Sequence, residues 1–184
     1  MVANGPRTDH RTLLLTGSPG VGKTTIVRRV GAALRDRRIG GFVTDEIRSA
    51  GRRIGFELCT ASGQRQLLAH VELASEHRVG RYGVDLEALD RIVAQTLELD
   101  DDVEVYLIDE IGRMECLSAR FRAAVQRLLD THRPLLATVA LHGDGLIAAV
   151  KQRGDVLLGR ATPGNRDRLP DRIAQRLQAL LGPR

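Results

Sequence analysis

Tryptophan is absent from this chain of 184 residues, tyrosine occurs twice and phenylalanine three times. So few rings leave little for nucleic-acid bases to stack on, which weighs against a nucleic-acid partner. Lysine is nearly missing as well. Of the 28 basic residues only Lys23 and Lys151 are lysines. The net charge is +5, yet the arginines are scattered and alternate with acids, as in Arg35-Asp36-Arg37 and Arg166-Asp167-Arg168. Without a basic block, that pattern reads as solvated helix surface. The only cysteines, Cys59 and Cys116, lie far apart and form no CxxC pair, which excludes a disulfide framework and a zinc site. The five histidines show no metal-ligand spacing and read as surface or packing residues. No apolar run approaches the ~20 residues that span a bilayer, so no membrane association is expected. Residues 1–11 are polar, contain Pro6 and lack the apolar middle of a secretory signal. Residues 1–10 are read as a flexible tail, residues 11–184 as a single domain, and the cytoplasm as the default location.

What is present is a regular alternation. Strands are expected at 11–16, 41–47, 53–60, 66–73, 103–108, 134–140 and 155–161, from short apolar or alternating runs bounded by turn residues. Helices are expected at 23–37, after Asp85, after Ser118, at 146–152 and at 167–181. Their apolar residues recur three or four apart, as in Leu86, Leu89, Ile92, Val93 and Leu97. Asp85 and Ser118 can each cap the helix that follows. Strands alternating with helices imply an α/β domain with a mostly parallel sheet covered on both faces. The strands around Ala61-Ser62-Gly63 break the alternation and suggest an antiparallel hairpin beside that sheet.

The strongest local signal is Gly17-Ser18-Pro19-Gly20-Val21-Gly22-Lys23-Thr24, which fits the phosphate-loop pattern G-x-x-x-x-G-K-[ST] without a gap. Glycines let successive backbone N–H groups turn inward around an anion. The helix that begins near Lys23 brings its positive end to the same place. Lys23 can reach the β- and γ-phosphates, and Thr24 offers a hydroxyl to Mg²⁺. In a chain that uses arginine almost everywhere, a lysine here suggests a need for a compact point charge. Thr25 follows directly and completes the loop set.

A second signal ends the strand Val105-Tyr106-Leu107-Ile108 with Asp109-Glu110. Ligands of parallel sheets gather at that end of the strands. In phosphate-loop enzymes an aspartate there holds Mg²⁺, so Thr24 and Asp109 are the metal candidates. Glu110 is placed to orient and deprotonate an attacking water. Thr138, at the end of the next strand, is a candidate γ-phosphate sensor. Arg113 and Arg166 are candidate cations for transition-state charge. Glu115 is either a supporting carboxylate or a partner of Arg113. By analogy with phosphate-loop enzymes that carry an Asp-Glu pair on the third main strand, the expected strand order is 5-1-4-3-2.

Five stretches occur in order along the chain: residues 17–25, Gly41-Phe42-Val43-Thr44-Asp45-Glu46-Ile47-Arg48, Val79-Gly80-Arg81-Tyr82-Gly83-Val84, Ile108-Asp109-Glu110-Ile111-Gly112-Arg113-Met114-Glu115, and Asn165-Arg166-Asp167. In these the chain resembles the cancer-related or thermophilic nucleoside-triphosphatase family of P-loop proteins. The resemblance implies a three-layer P-loop domain and slow Mg²⁺-dependent hydrolysis of several nucleoside triphosphates, ATP and GTP among them. It extends the nucleotide-binding set to Asn165 and Arg166. The departures are Asp45 where the family often has Glu, and Arg81 and Arg113 where it has Lys. Glu110, Lys23 and Arg113 are the catalytic candidates. The alternative reading is a nucleotide or small-molecule kinase with weak hydrolysis as a side reaction, and a third is a non-catalytic nucleotide switch or a nucleic-acid-stimulated ATPase. A monomer is expected.

Overall fold

The computed structural model describes residues 10–183, so the expected tail at residues 1–10 lies, except for His10, outside the described residues. The strands are β1 (Thr12–Thr16), β2 (Ile39–Ser49), β3 (Arg52–Thr60), β4 (Arg65–His70), β5 (Arg78–Val79), β6 (Tyr82–Val84), β7 (Val105–Ile111), β8 (Leu135–Val139) and β9 (Val156–Arg160). The helices are α1 (Lys23–Ala33), α2 (Leu86–Thr96), α3 (Ala119–Leu129), α4 (Gly145–Gln152) and α5 (Leu169–Leu181), with a 3₁₀ turn at Glu115–Leu117.

All the strands join one sheet in the order β5-β6-β4-β3-β2-β7-β8-β1-β9. Its parallel part is β9-β1-β8-β7-β2. Numbered among themselves in chain order, these five parallel strands stand 5-1-4-3-2, as expected, but the sheet as a whole differs from a five-strand core with a hairpin beside it. The antiparallel strands continue the sheet itself, because β2 runs on past β7 and pairs along its free edge with β3. The ladder then passes from β3 to β4, β6 and β5.

Alternation along each strand sends side chains to two buried layers. Leu13, Leu15, Val105, Leu107 and Leu136 pack with Ile26, Val27 and Val30 of α1 and Leu177 of α5. Leu14, Tyr106, Ile108, Leu135 and Ala137 pack on the other face with α2, α3 and α4. Strands buried on both sides read as unbroken apolar runs, and β1 is one. Asp85 accepts a hydrogen bond from the Ala88 N–H at 2.8 Å, and Ser118 from the Phe121 N–H at 2.9 Å, so both expected caps form.

Helix α1 stops at Ala33, earlier than the expected residue 37, and β2 begins at Ile39. Gly41 explains part of this tight passage. Its φ is +101°, and a Cβ there would lie 1.9 Å from the Leu107 carbonyl oxygen. Only a residue without a side chain lets β2 approach β7 so closely.

Candidate functional site

The loop between β1 and α1 takes its shape from glycine. Gly20 and Gly22 have φ of 76° and 105°, conformations that cost an L side chain about 1–2 kcal/mol. Gly22 caps α1 in the left-handed region, and the Ile26 N–H donates to its carbonyl at 3.0 Å. Lys23 folds back so that Nζ donates to the Gly17 carbonyl at 3.2 Å and lies 3.4 Å from Glu110 Oε2. The first-turn N–H groups of α1 and one ammonium therefore face the ligand end of the sheet.

Asp109 sits at the centre of a set of hydroxyls. Thr24 Oγ1 donates to Asp109 Oδ2 at 2.5 Å, and Thr138 Oγ1 donates to Asp109 Oδ1. Thr44 Oγ1 donates to the Asp109 backbone carbonyl at 2.6 Å. The Asp109–Glu110 peptide is cis. Asp109 is 2% exposed. Burial pushes its carboxyl above the usual carboxylate range, while the Thr138 and Thr24 hydroxyls and the Lys23 charge pull the other way. A carboxylate and a hydroxyl in direct contact, both oxygen donors, form the kind of pair that Mg²⁺ accepts along with waters. On that donor chemistry Thr24 and Asp109 fit the ion.

Glu110 lies further out. Burial also raises its pKa, the Lys23 ammonium opposes this, and the neighbouring Asp109 adds to it. Glu115 was expected either to support the site or to pair with Arg113. The pairing does not form: Arg113 is exposed and Glu115 is 5% exposed. The Glu115 carboxyl is met by the backbone N–H groups of its own residue and Gly112, and its pKa is pushed up to about 8, chiefly by burial and then by Glu110 and Asp109.

The other sequence candidates, Thr138, Asn165 and Arg166, fall in different places. Thr138 is fully buried against Asp109, so it is not the exposed sensor expected at a strand end. Asn165 spends its side chain on the loop after β9: Oδ1 accepts from the Thr162 N–H at 2.8 Å and Nδ2 donates to the Arg160 carbonyl at 2.9 Å. Arg166 does come to the phosphate loop, with its Cδ 3.9 Å from where a Gly22 Cβ would stand. Glu46 and Arg48 pair with each other at 2.6 Å, and Glu46 also pairs with Arg53 at 2.7 Å. Tyr82 packs edge-on against Phe56. Thr44 was not singled out from the sequence. A threonine in a strand is ordinary, so no local signal marked it.

Residues 12–174 match the family model described as NTPase. The chain belongs to the NTPase family. Membership makes it a nucleoside-triphosphatase, hence a hydrolase, and disfavours the kinase alternative. Among similar proteins, Nucleoside-triphosphatase THEP1 of Thermotoga sp. (strain RQ2) is 38% identical over 88% of this chain and 92% of its own. That of Methanopyrus kandleri is 40% identical over 89% of this chain and 93% of its own. The crystal structure of THEP1 from the hyperthermophile Aquifex aeolicus superposes with a TM-score of 0.82 at 31% identity, covering 94% of this chain and 99% of that one. A solution structure of a human cancer-related nucleoside triphosphatase gives 0.78 at 35% identity, covering 92% and 98%.

Proposed function

We propose that this nucleoside-triphosphatase cleaves the terminal phosphoanhydride of several nucleoside triphosphates in a Mg²⁺-dependent reaction, giving the diphosphate and phosphate. The observation that carries the reading is the convergence at one strand end. Thr24 touches Asp109, and Lys23 stands 3.4 Å from Glu110, the next residue.

The substrate is held by the loop from Gly17 through Thr25. Backbone N–H groups and Lys23 neutralise the phosphates, and Arg166, lying over Gly22, adds a second cation on the nucleotide side. Thr24 and Asp109 would hold Mg²⁺, which would supply positive charge to the phosphate oxygens. Thr138 and Thr44 keep Asp109 in place. Glu110 takes a proton from the attacking water as the water oxygen bonds to the γ-phosphorus. The bond from that phosphorus to the β–γ bridging oxygen breaks, and the electron pair leaves with the diphosphate. Burial raises the Glu110 pKa towards that of a useful general base. These residues address phosphate, metal or water, and none distinguishes one base from another. Cytoplasmic location and a monomeric state fit this reading.

The test is phosphate release from ATP, GTP, CTP and UTP with and without Mg²⁺, comparing wild type with Glu110→Gln. Release from all four only with Mg²⁺, and a loss of about 100-fold in the variant with nucleotide binding retained, is the expected result. Unchanged turnover in Glu110→Gln would remove Glu110 from the chemistry.

A further inference from the structure

Among the described residues, Glu115 is the one buried acid near the site that the reaction does not use. Among the described residues no lysine or arginine pairs with it. Its position follows from the turn after β7. The Cys116 N–H donates to the Gly112 carbonyl at 3.0 Å, which closes the chain and swings Glu115 back beneath Glu110. A Cβ on Gly112 would stand 2.7 Å from Glu115 Oε2 and 3.2 Å from both Cγ and Oε1 of Glu110. Two carboxyl groups thus converge on one bare α-carbon. The other oxygen of Glu110, Oε2, faces Lys23.

We propose that Glu115 is a positioning residue for Glu110: its buried carboxyl and the bare Gly112 form the wall against which Glu110 Oε1 rests, so that Oε2 is kept facing Lys23 and the phosphate loop. This rests on the reading of Glu110 as the base. The charge arrangement supports it. The groups that bear on this corner are Asp109 and Glu110 from β7, Lys23 from α1, and Lys151 from α4, which lowers the Glu110 pKa. Cys116 lies beside Glu115, Arg122 of α3 donates to the Cys116 carbonyl, and Asp144 faces Cys116. Among the described residues no cation stands against Glu115 itself, and burial pushes its carboxyl up to about 8. A neutral acid there leaves the negative charge to Glu110, where a base needs it.

The experiment is a double-mutant cycle on the full chain, measuring kcat, KM for the Mg-nucleotide and thermal unfolding. Glu115→Ala is expected to lower kcat about 10- to 100-fold, the scale of a misplaced reacting group, with KM within about twofold. In the Glu110→Gln background the same change is expected to cost nothing further, because a residue that acts only through Glu110 has nothing left to position. Glu115→Gln keeps the shape and the neutral charge, and is expected to recover most of the turnover and to keep it above pH 8, where wild type declines. It also serves if the alanine variant fails to fold. Equal losses in both backgrounds, a change confined to KM, or a Gln variant with the wild-type pH profile would each overturn the proposal for Glu115 while leaving Glu110 in place. Full turnover in Glu110→Gln alone would overturn both.

Discussion

Replacing Glu115 by Gln should change the pH dependence of stability in a calculable way. An unpaired carboxyl ionises near 4.5, and in the folded chain burial moves this one to about 8. Below pH 4.5 the group is protonated whether folded or not, so it imposes no pH-dependent cost. As pH rises the unfolded chain releases the proton and the folded chain does not, so stability falls steadily until the folded group also ionises near pH 8. At 1.36 kcal/mol for each pH decade, the cost reaches about 3 kcal/mol at pH 7 and nearer 5 above pH 8. Gln carries no proton to lose, so the variant escapes this term. Its amide must find an acceptor where an oxygen stood, at about 1–3 kcal/mol, but that cost is the same at every pH and cancels in the comparison. Asp109 and Glu110 are also raised and contribute alike to both proteins. Urea unfolding of wild type and Glu115→Gln at pH 4.5, 6, 7 and 8 measures the difference directly. The variant should gain on wild type across that range by several kcal/mol. Parallel stability curves would show that Glu115 does not hold its proton in the fold, and the reasoning from burial would fail.

Gly41→Ala should prevent folding or lower stability by at least about 3 kcal/mol, since its methyl would overlap the Leu107 carbonyl and both sides of the clash are backbone; thermal unfolding within a few degrees of wild type would contradict the close approach of β2 and β7. Thr138→Val removes a hydroxyl from Asp109 at nearly constant volume. It should weaken the Mg²⁺ requirement's half-saturation by about 10-fold or more, measured as turnover against Mg²⁺ concentration; an unchanged curve would separate Thr138 from the metal. Arg166→Ala should weaken nucleotide binding by about tenfold, the scale of one charge-assisted hydrogen bond, without altering the unfolding temperature, since the side chain is 48% exposed. Titration with a fluorescent nucleotide reads it, and unaltered affinity would leave Arg166 as surface.

Much of the candidate site was legible as a string because a phosphate-loop pattern is local. A loop that presents consecutive N–H groups needs its glycines and its lysine at set spacings, and Gly20, Gly22 and Lys23 stand where the pattern requires. The pair Asp109-Glu110 was legible because a carboxylate closing an apolar strand has little structural reason to be there. Layering was legible as well, since alternation along β1 and β7 and the three-or-four spacing of the helices depend on neighbours a few residues away. Contacts between distant segments left no such trace. Thr24 and Thr138 are 85 and 29 residues from Asp109, and only the parallel register of β1, β7 and β8 brings three side chains to one point. The antiparallel strands looked like a separate hairpin because strand pairing carries no address in the string; the free edge of β2 supplied it. Arg113 and Glu115 are two apart and of opposite charge, a spacing that suggested a pair. The turn at Gly112 buries the acid and leaves the arginine outside, and a turn's direction is decided by what it packs against.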